Sequence, residues 1–172
     1  LCGTMSVGKT TLVNALKELE QFKDYKFATE RSQHLMSLGI PLNTDSTLKG
    51  QTVFLAERCG ELMHDNIITD RTILDVMAFT MNAKSIPHQD KEAFETYASE
   101  FIREYDYIFY ISPYGLEIED NGVRETDEHY RDLIDFTITT LIKRHGHKAG
   151  TIEKISGSTE ERIQQILNVT KL

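Results

Sequence analysis

A chain of 172 residues is short enough for one domain and long enough to bury a complete core. Its 40% hydrophobic and 27% charged residues are those of an ordinary globular protein. No apolar run approaches the roughly 18 residues that suggest a membrane span, and no secretory leader pattern is read, so the expectation is a cytoplasmic protein with no membrane partner. The net charge of −8 argues against broad, sequence-independent nucleic-acid binding, while leaving room for a local basic cleft.

The first stretch, Leu1-Cys2-Gly3-Thr4-Met5-Ser6-Val7-Gly8-Lys9-Thr10-Thr11, satisfies G-x-x-x-x-G-K-[ST] at Gly3, Gly8, Lys9 and Thr10. Gly3 and Gly8 permit a tight turn in which the backbone N–H groups from Ser6 and Val7 through Thr11 point inward as an anion nest. The helix expected from Thr10 to Leu19 adds its positive end to that nest. Lys9 can reach the β- and γ-phosphates, and the Thr10 hydroxyl can ligate the Mg²⁺ that bridges them. This is the pattern of a nucleoside-triphosphate site with ATP and Mg²⁺ as cofactors. Only Leu1 and Cys2 precede Gly3, whereas a strand normally has about five or six residues, so further residues are expected upstream of Leu1.

Past this helix, Tyr25 to Ala28 is a short strand candidate that ends in Thr29-Glu30-Arg31. Arg31 to Leu38 reads as a short helix stopped by Gly39 and Pro41, and residues 40–47 as a loop. A longer helix is expected from Leu48 to His64, with Val53, Ala56, Gly60 and Met63 on or near one face. Ile67 and Ile68 form a short apolar run that ends in Thr69-Asp70-Arg71-Thr72. Ile73 to Met81 is helical again. A charged helix from Asp90 to about Tyr105 carries the stripe Phe94, Tyr97, Ala98 and Phe101. Tyr107 to Ile111 is the clearest strand, apolar throughout and so covered on both faces. A polar stretch from Glu117 to Asp127 precedes a long helix from Glu128 to about Arg144. Thr151 to Ile155 is the last strand. Ser158, with Glu161 three residues on, opens the closing helix as a capping box.

Strands alternating with helices mean βαβ units, a mostly parallel sheet and ligands beyond the carboxyl ends of the strands. Asp70 can partner the Mg²⁺, act as base for an attacking hydroxyl, or simply N-cap the helix behind it. Arg71 can meet a phosphate or a carboxylate, or stand on the surface. Glu30 can accept the proton of an acceptor hydroxyl, or favour the start of its helix. Residues 115–131, with Arg124 and Arg131, read either as a cationic lid or as a surface hairpin followed by a solvated helix face. Lys49, Gln51 and Arg58 either contact an acceptor or face solvent. The six histidines show no metal-ligand spacing. Cys2 and Cys59 read as reduced packing residues.

With these residues in view, the chain resembles the P-loop nucleoside and nucleotide kinases, and most of all the small ribosylnicotinamide-kinase-like ATP-binding domains encoded by bacteria and phages. The resemblance implies a three-layer α/β P-loop fold whose five-stranded parallel sheet has the order 2-3-1-4-5, with helices on both faces and a lid. It implies a phosphotransferase for a nucleoside, a nucleotide or a related small acceptor. Glu30 would contact the acceptor hydroxyl, Asp70 and Arg71 would stand near metal and substrate, Arg124 would be a lid arginine and Gly157 would approach the adenine. Gln51, Arg58, Arg31 and Arg131 complete the candidate substrate-binding set. The Glu-Arg-Ser element of deoxynucleoside kinases is missing after the third strand, where this chain has Asp70-Arg71-Thr72. The rival readings are a nucleotide-hydrolysing regulatory ATPase with no acceptor and a kinase for nucleic-acid ends. A homodimer is left open.

Overall fold

The computed structural model describes residues 1–29, 32–116 and 127–172. Two parallel strand pairs carry the fold. β1 (Lys26–Ala28) pairs with β2 (Ile67–Thr69) in the register Lys26 to Ile67, and β3 (Tyr107–Ile111) pairs with β4 (Thr151–Ile155) in the register Tyr107 to Thr151. Leu1 and Cys2 link the two pairs. The Leu1 nitrogen donates to the Thr69 carbonyl at 2.6 Å, Cys2 N donates to Phe109 O at 2.9 Å, and Ile111 N donates to Cys2 O at 2.8 Å.

Alternate residues of β3 serve two separate cores, as expected of an apolar strand covered on both faces. Ile108 and Tyr110 pack with helices α4 (Ile73–Asn82) and α6 (Glu128–His145). Phe109 and Ile111 pack with α1 (Lys9–Lys17) and α7 (Thr159–Thr170). Among the described residues no helix is long and apolar enough to cross a membrane, and both cysteines are free.

Two helices depart from expectation. The helix α3 runs from Leu48 to Glu61 and buries Gly50, Gln51, Leu55 and Arg58, not the face of Val53, Ala56, Gly60 and Met63. Met63 is 83% exposed. The apolar count misread the face because α3 lays two polar side chains, Gln51 and Arg58, against the body of the protein. The charged helix divides into α5 (His88–Ala98) and a tighter 3-10 stretch over Ser99–Glu104. The tighter winding brings Ile102 into the core beside Phe94 and Ala98, and Tyr97, placed by a continuous α-helical stripe, is 63% exposed.

The remaining helix, α2 (Ser32–Ser37), follows the first strand pair's β1 end and leads through a 3-10 turn at Asn43–Asp45 into α3. The strand ends at Ala28, Thr69, Ile111 and Ile155 point the following loops to one side, where the P-loop also lies.

Candidate functional site

The helix α1 starts without a side-chain cap. Its N-cap is Gly8 at φ 80°, and Ser6 also adopts a positive φ of 57°. A helix start with no side chain on its first amides leaves them for an anion. Gly3 is required here because a Cβ at this position would lie 2.5 Å from the Ile111 carbonyl oxygen. Lys9 is buried, and its Nζ donates to the carbonyls of Gly3 and Thr4 at 2.7 Å each. Burial, and after it the nearby Arg71 guanidinium, lower the pKa of this ammonium from its ordinary value.

Thr72, not Asp70, N-caps α4, in a capping box with Asp75. Asp70 is thereby released for the P-loop. It is 1% exposed, and its Oδ2 accepts the Thr10 hydroxyl at 2.6 Å. A hydroxyl and a carboxylate side by side are hard oxygen donors that suit Mg²⁺, which keeps much of its shell as water and phosphate oxygens. Among the described residues no group of three or more His, Cys, Asp and Glu side chains gathers as a protein-only metal cage.

Met5 to Thr10 form one wall of a cavity of about 250 Å³ whose opposite side includes Ser32, Asn43, Asp70, Arg71 and Phe79. The Arg71 guanidinium carbon lies 5.0 Å from the centre of the Phe79 ring, a cation–π contact that fixes both side chains. A smaller recess of about 40 Å³ continues behind Arg71 and Phe79. It is lined by Leu42, Phe54 and Val76 with Gln51 and Ser46 among them. Gln51 is 3% exposed and lines this recess. The Ser46 hydroxyl is buried without a partner among the described residues. Buried polar groups are nearly always paired, so an unpaired hydroxyl beside a buried carboxamide in an apolar recess suits a ligand with polar edges.

The other candidates are placed as follows. Arg58 is buried away from both cavities, with its Nη2 donating to Glu61 at 2.5 Å. Arg131 is buried at the start of α6, and its Nη1 donates to the Leu116 carbonyl at 2.7 Å. Its own carbonyl accepts the Thr4 hydroxyl at 3.3 Å, so α6 touches the P-loop directly. Thr11 is exposed on the first turn of α1. Gly157, at φ 96°, lines a separate surface depression with Ser156, Glu161 and Gln165. Glu30, Arg31 and Arg124 lie outside the described residues, as does most of the lid stretch.

Three residues at the site were not singled out in the sequence. Phe79 lies in the apolar helix that follows Arg71, and nothing local marks it as the partner of the guanidinium. Asp75 belongs to a T-x-x-D box legible at Thr72, but its bond from Gly3 N, at 3.0 Å, spans 72 positions and leaves no local signal. Arg162 of α7 reaches the Val7 carbonyl at 2.7 Å across 155 positions.

Solved structures share this architecture. The deoxyadenosine kinase from M. mycoides with bound dCTP superposes with a TM-score of 0.67 at 17% identity, covering 99% of this chain and 96% of that one. The same enzyme with dCMP product and a flexible dCDP bound gives a TM-score of 0.66 at 17% identity, covering 98% and 95%. At this identity the likeness shows the fold alone, an α/β P-loop fold. No curated protein matches the chain at a significant level. A family model described as an AAA domain matches residues 1–162. The chain therefore belongs to this AAA-domain family.

Proposed function

We propose that this chain is an ATP- and Mg²⁺-dependent phosphotransferase acting on a nucleoside, a nucleotide or a related small acceptor. One observation carries the reading. The anion nest of Gly3 to Thr11 opens into the same cavity as Arg71 and Phe79, and that cavity continues into a recess lined by the buried Gln51 and the unpartnered Ser46 hydroxyl. Nucleotide binding alone does not call for the second recess. A flat ring beside Phe79, with its polar edge toward Gln51, would suit it. The M. mycoides enzyme of the same fold is a kinase of a deoxynucleoside.

Lys9 and the nest amides hold and orient the polyphosphate, and Mg²⁺, when bound, supplies charge neutralisation between its phosphoryl groups. The Thr10–Asp70 hydrogen bond supports Asp70 on the metal side of the reaction. That division leaves Glu30, the acid matched by resemblance, to take the acceptor's hydroxyl proton. Arg71 stands between the nest and the recess, where a cation favours the phosphoryl group in transit. Arg124 and Arg131 belong to the lid in this reading, and Gly157 to the adenine side. We also infer one domain over residues 1–172 with the sheet order 2-3-1-4-5. The bonds from Leu1 to Thr69 and from Cys2 to β3 support a central position for the strand entering the P-loop.

The test is transfer of the γ-phosphoryl group from labelled ATP with Mg²⁺ to a panel of nucleosides, nucleoside monophosphates and ribosylnicotinamide. Transfer to at least one acceptor is expected. Slow ATP hydrolysis with no labelled product from any acceptor would overturn the reading in favour of a regulatory ATPase.

A further inference from the structure

An anion nest creates a problem on its outer side. Turning successive N–H groups toward a ligand turns the carbonyls between them away from it, into the protein. A buried carbonyl with no donor is costly. Val7 lies between the two positive-φ residues Ser6 and Gly8 and is fully buried. Its carbonyl is met by the Arg162 guanidinium, whose Nη1 donates at 2.7 Å.

The contact is close. A Cβ on Gly8 would lie 3.3 Å from Arg162 Nη1, so the guanidinium packs against the outer wall of the nest. Arg162 is itself buried, and its Nε has no hydrogen-bond partner among the described residues. Its placement therefore satisfies the loop and not the arginine. It sits in the first turn of α7, which is fixed by the Ser158–Glu161 capping box. One turn on, Gln165 donates to the Ser156 carbonyl at 2.7 Å and holds the end of β4.

We propose that Arg162 is a positioning residue for the nucleotide loop. It holds the Val7 carbonyl outward so that the amides of Gly8 and the first turn of α1 face the phosphates, and it couples this loop to the segment around Gly157. Its positive charge behind the nest adds to the field that attracts a polyanion without touching it. This rests on the nucleotide-site reading above.

The experiment measures binding of ATP with Mg²⁺ by calorimetry on the whole chain, with circular dichroism confirming that each variant is folded at the temperature used. Arg162→Met is expected to weaken ATP by about tenfold or more, a carbonyl left without its charged donor. Arg162→Lys, which keeps a charged donor, is expected to recover most of that loss. A folded R162M that binds ATP within about twofold of the parent would overturn the inference, as would a loss that R162K leaves unrepaired. If R162M does not fold, Arg162→Gln replaces it against R162K under the same two criteria. A parent chain that binds no ATP would overturn the nucleotide site itself, and this role with it.

Discussion

The Asp75 carboxylate accepts the Gly3 amide at 3.0 Å through one oxygen, while its other oxygen accepts the Thr72 amide at 2.8 Å and the Thr72 hydroxyl at 2.7 Å. A single buried side chain thus starts the helix behind Asp70-Arg71 and pins the entrance of the nucleotide loop. The two halves of the site are held in register by one carboxylate.

Replacing Asp75 with Ala removes three accepted hydrogen bonds and strands the Gly3 amide in the core. The cost is expected to be about 2–3 kcal/mol, a fall of roughly 5–10 °C in the melting midpoint for a domain of this size. Calorimetric melting checks it. Asp75→Asn, which keeps acceptor capacity on one oxygen only, should fall between Ala and the parent.

Asp70→Asn weakens the acceptor for the Thr10 hydroxyl and removes a charge from the proposed metal side. Turnover is expected to drop by about two orders of magnitude, with more Mg²⁺ needed for half-maximal rate. Lys9→Ala should depress turnover at least as far, with no change in the Mg²⁺ requirement. A magnesium titration of phosphoryl transfer separates the two variants.

Gln51→Ala and Phe79→Ala both lie on the acceptor side of the cavity. Each is expected to raise the KM for the acceptor about tenfold or more while leaving the KM for ATP near that of the parent. Steady-state kinetics with each substrate varied in turn is the measurement.

The Glu95 carboxylate joins α5 to α6 by accepting from Arg144 at 2.5 Å and from His145 at 2.7 Å. Burial pushes its carboxyl up, but the hydrogen bonds from His145 and Arg144 outweigh it, and the group sits below its ordinary value of 4.5. A carboxylate lowered in the folded state gives stability that is present above pH 4.5 and lost as the pH falls through the lowered value. Glu95→Gln should therefore melt at a lower temperature than the parent at neutral pH and converge with it in acid. Melting midpoints between about pH 7 and pH 3 check the convergence.

Local chemistry was the legible part of this sequence. The P-loop, the β3 and β4 strands and the Ser158 capping box each depend on neighbouring residues, and the folded chain keeps them within a residue or so. The face of α3 was not legible, because Gln51 and Arg58 are buried for reasons that lie in other elements. Apolar counting assigns such residues to solvent. Asp70 can be cap or site residue on its sequence context alone, and the folded chain gives the cap to Thr72. Arg162 and the Gly3–Asp75 bond were out of reach altogether, since each joins positions that only the folded sheet brings together.

Two of the three hydrogens on the Lys9 ammonium are already taken by the Gly3 and Thr4 carbonyls. An incoming oxygen must displace one of these internal acceptors before it can share more than a single hydrogen with the lysine. Chloride and other weakly held monovalent ions have little to offer in that exchange, whereas a polyphosphate contributes several charges at once. The loop thus carries its own competitor, in the backbone oxygens that keep the lysine in place.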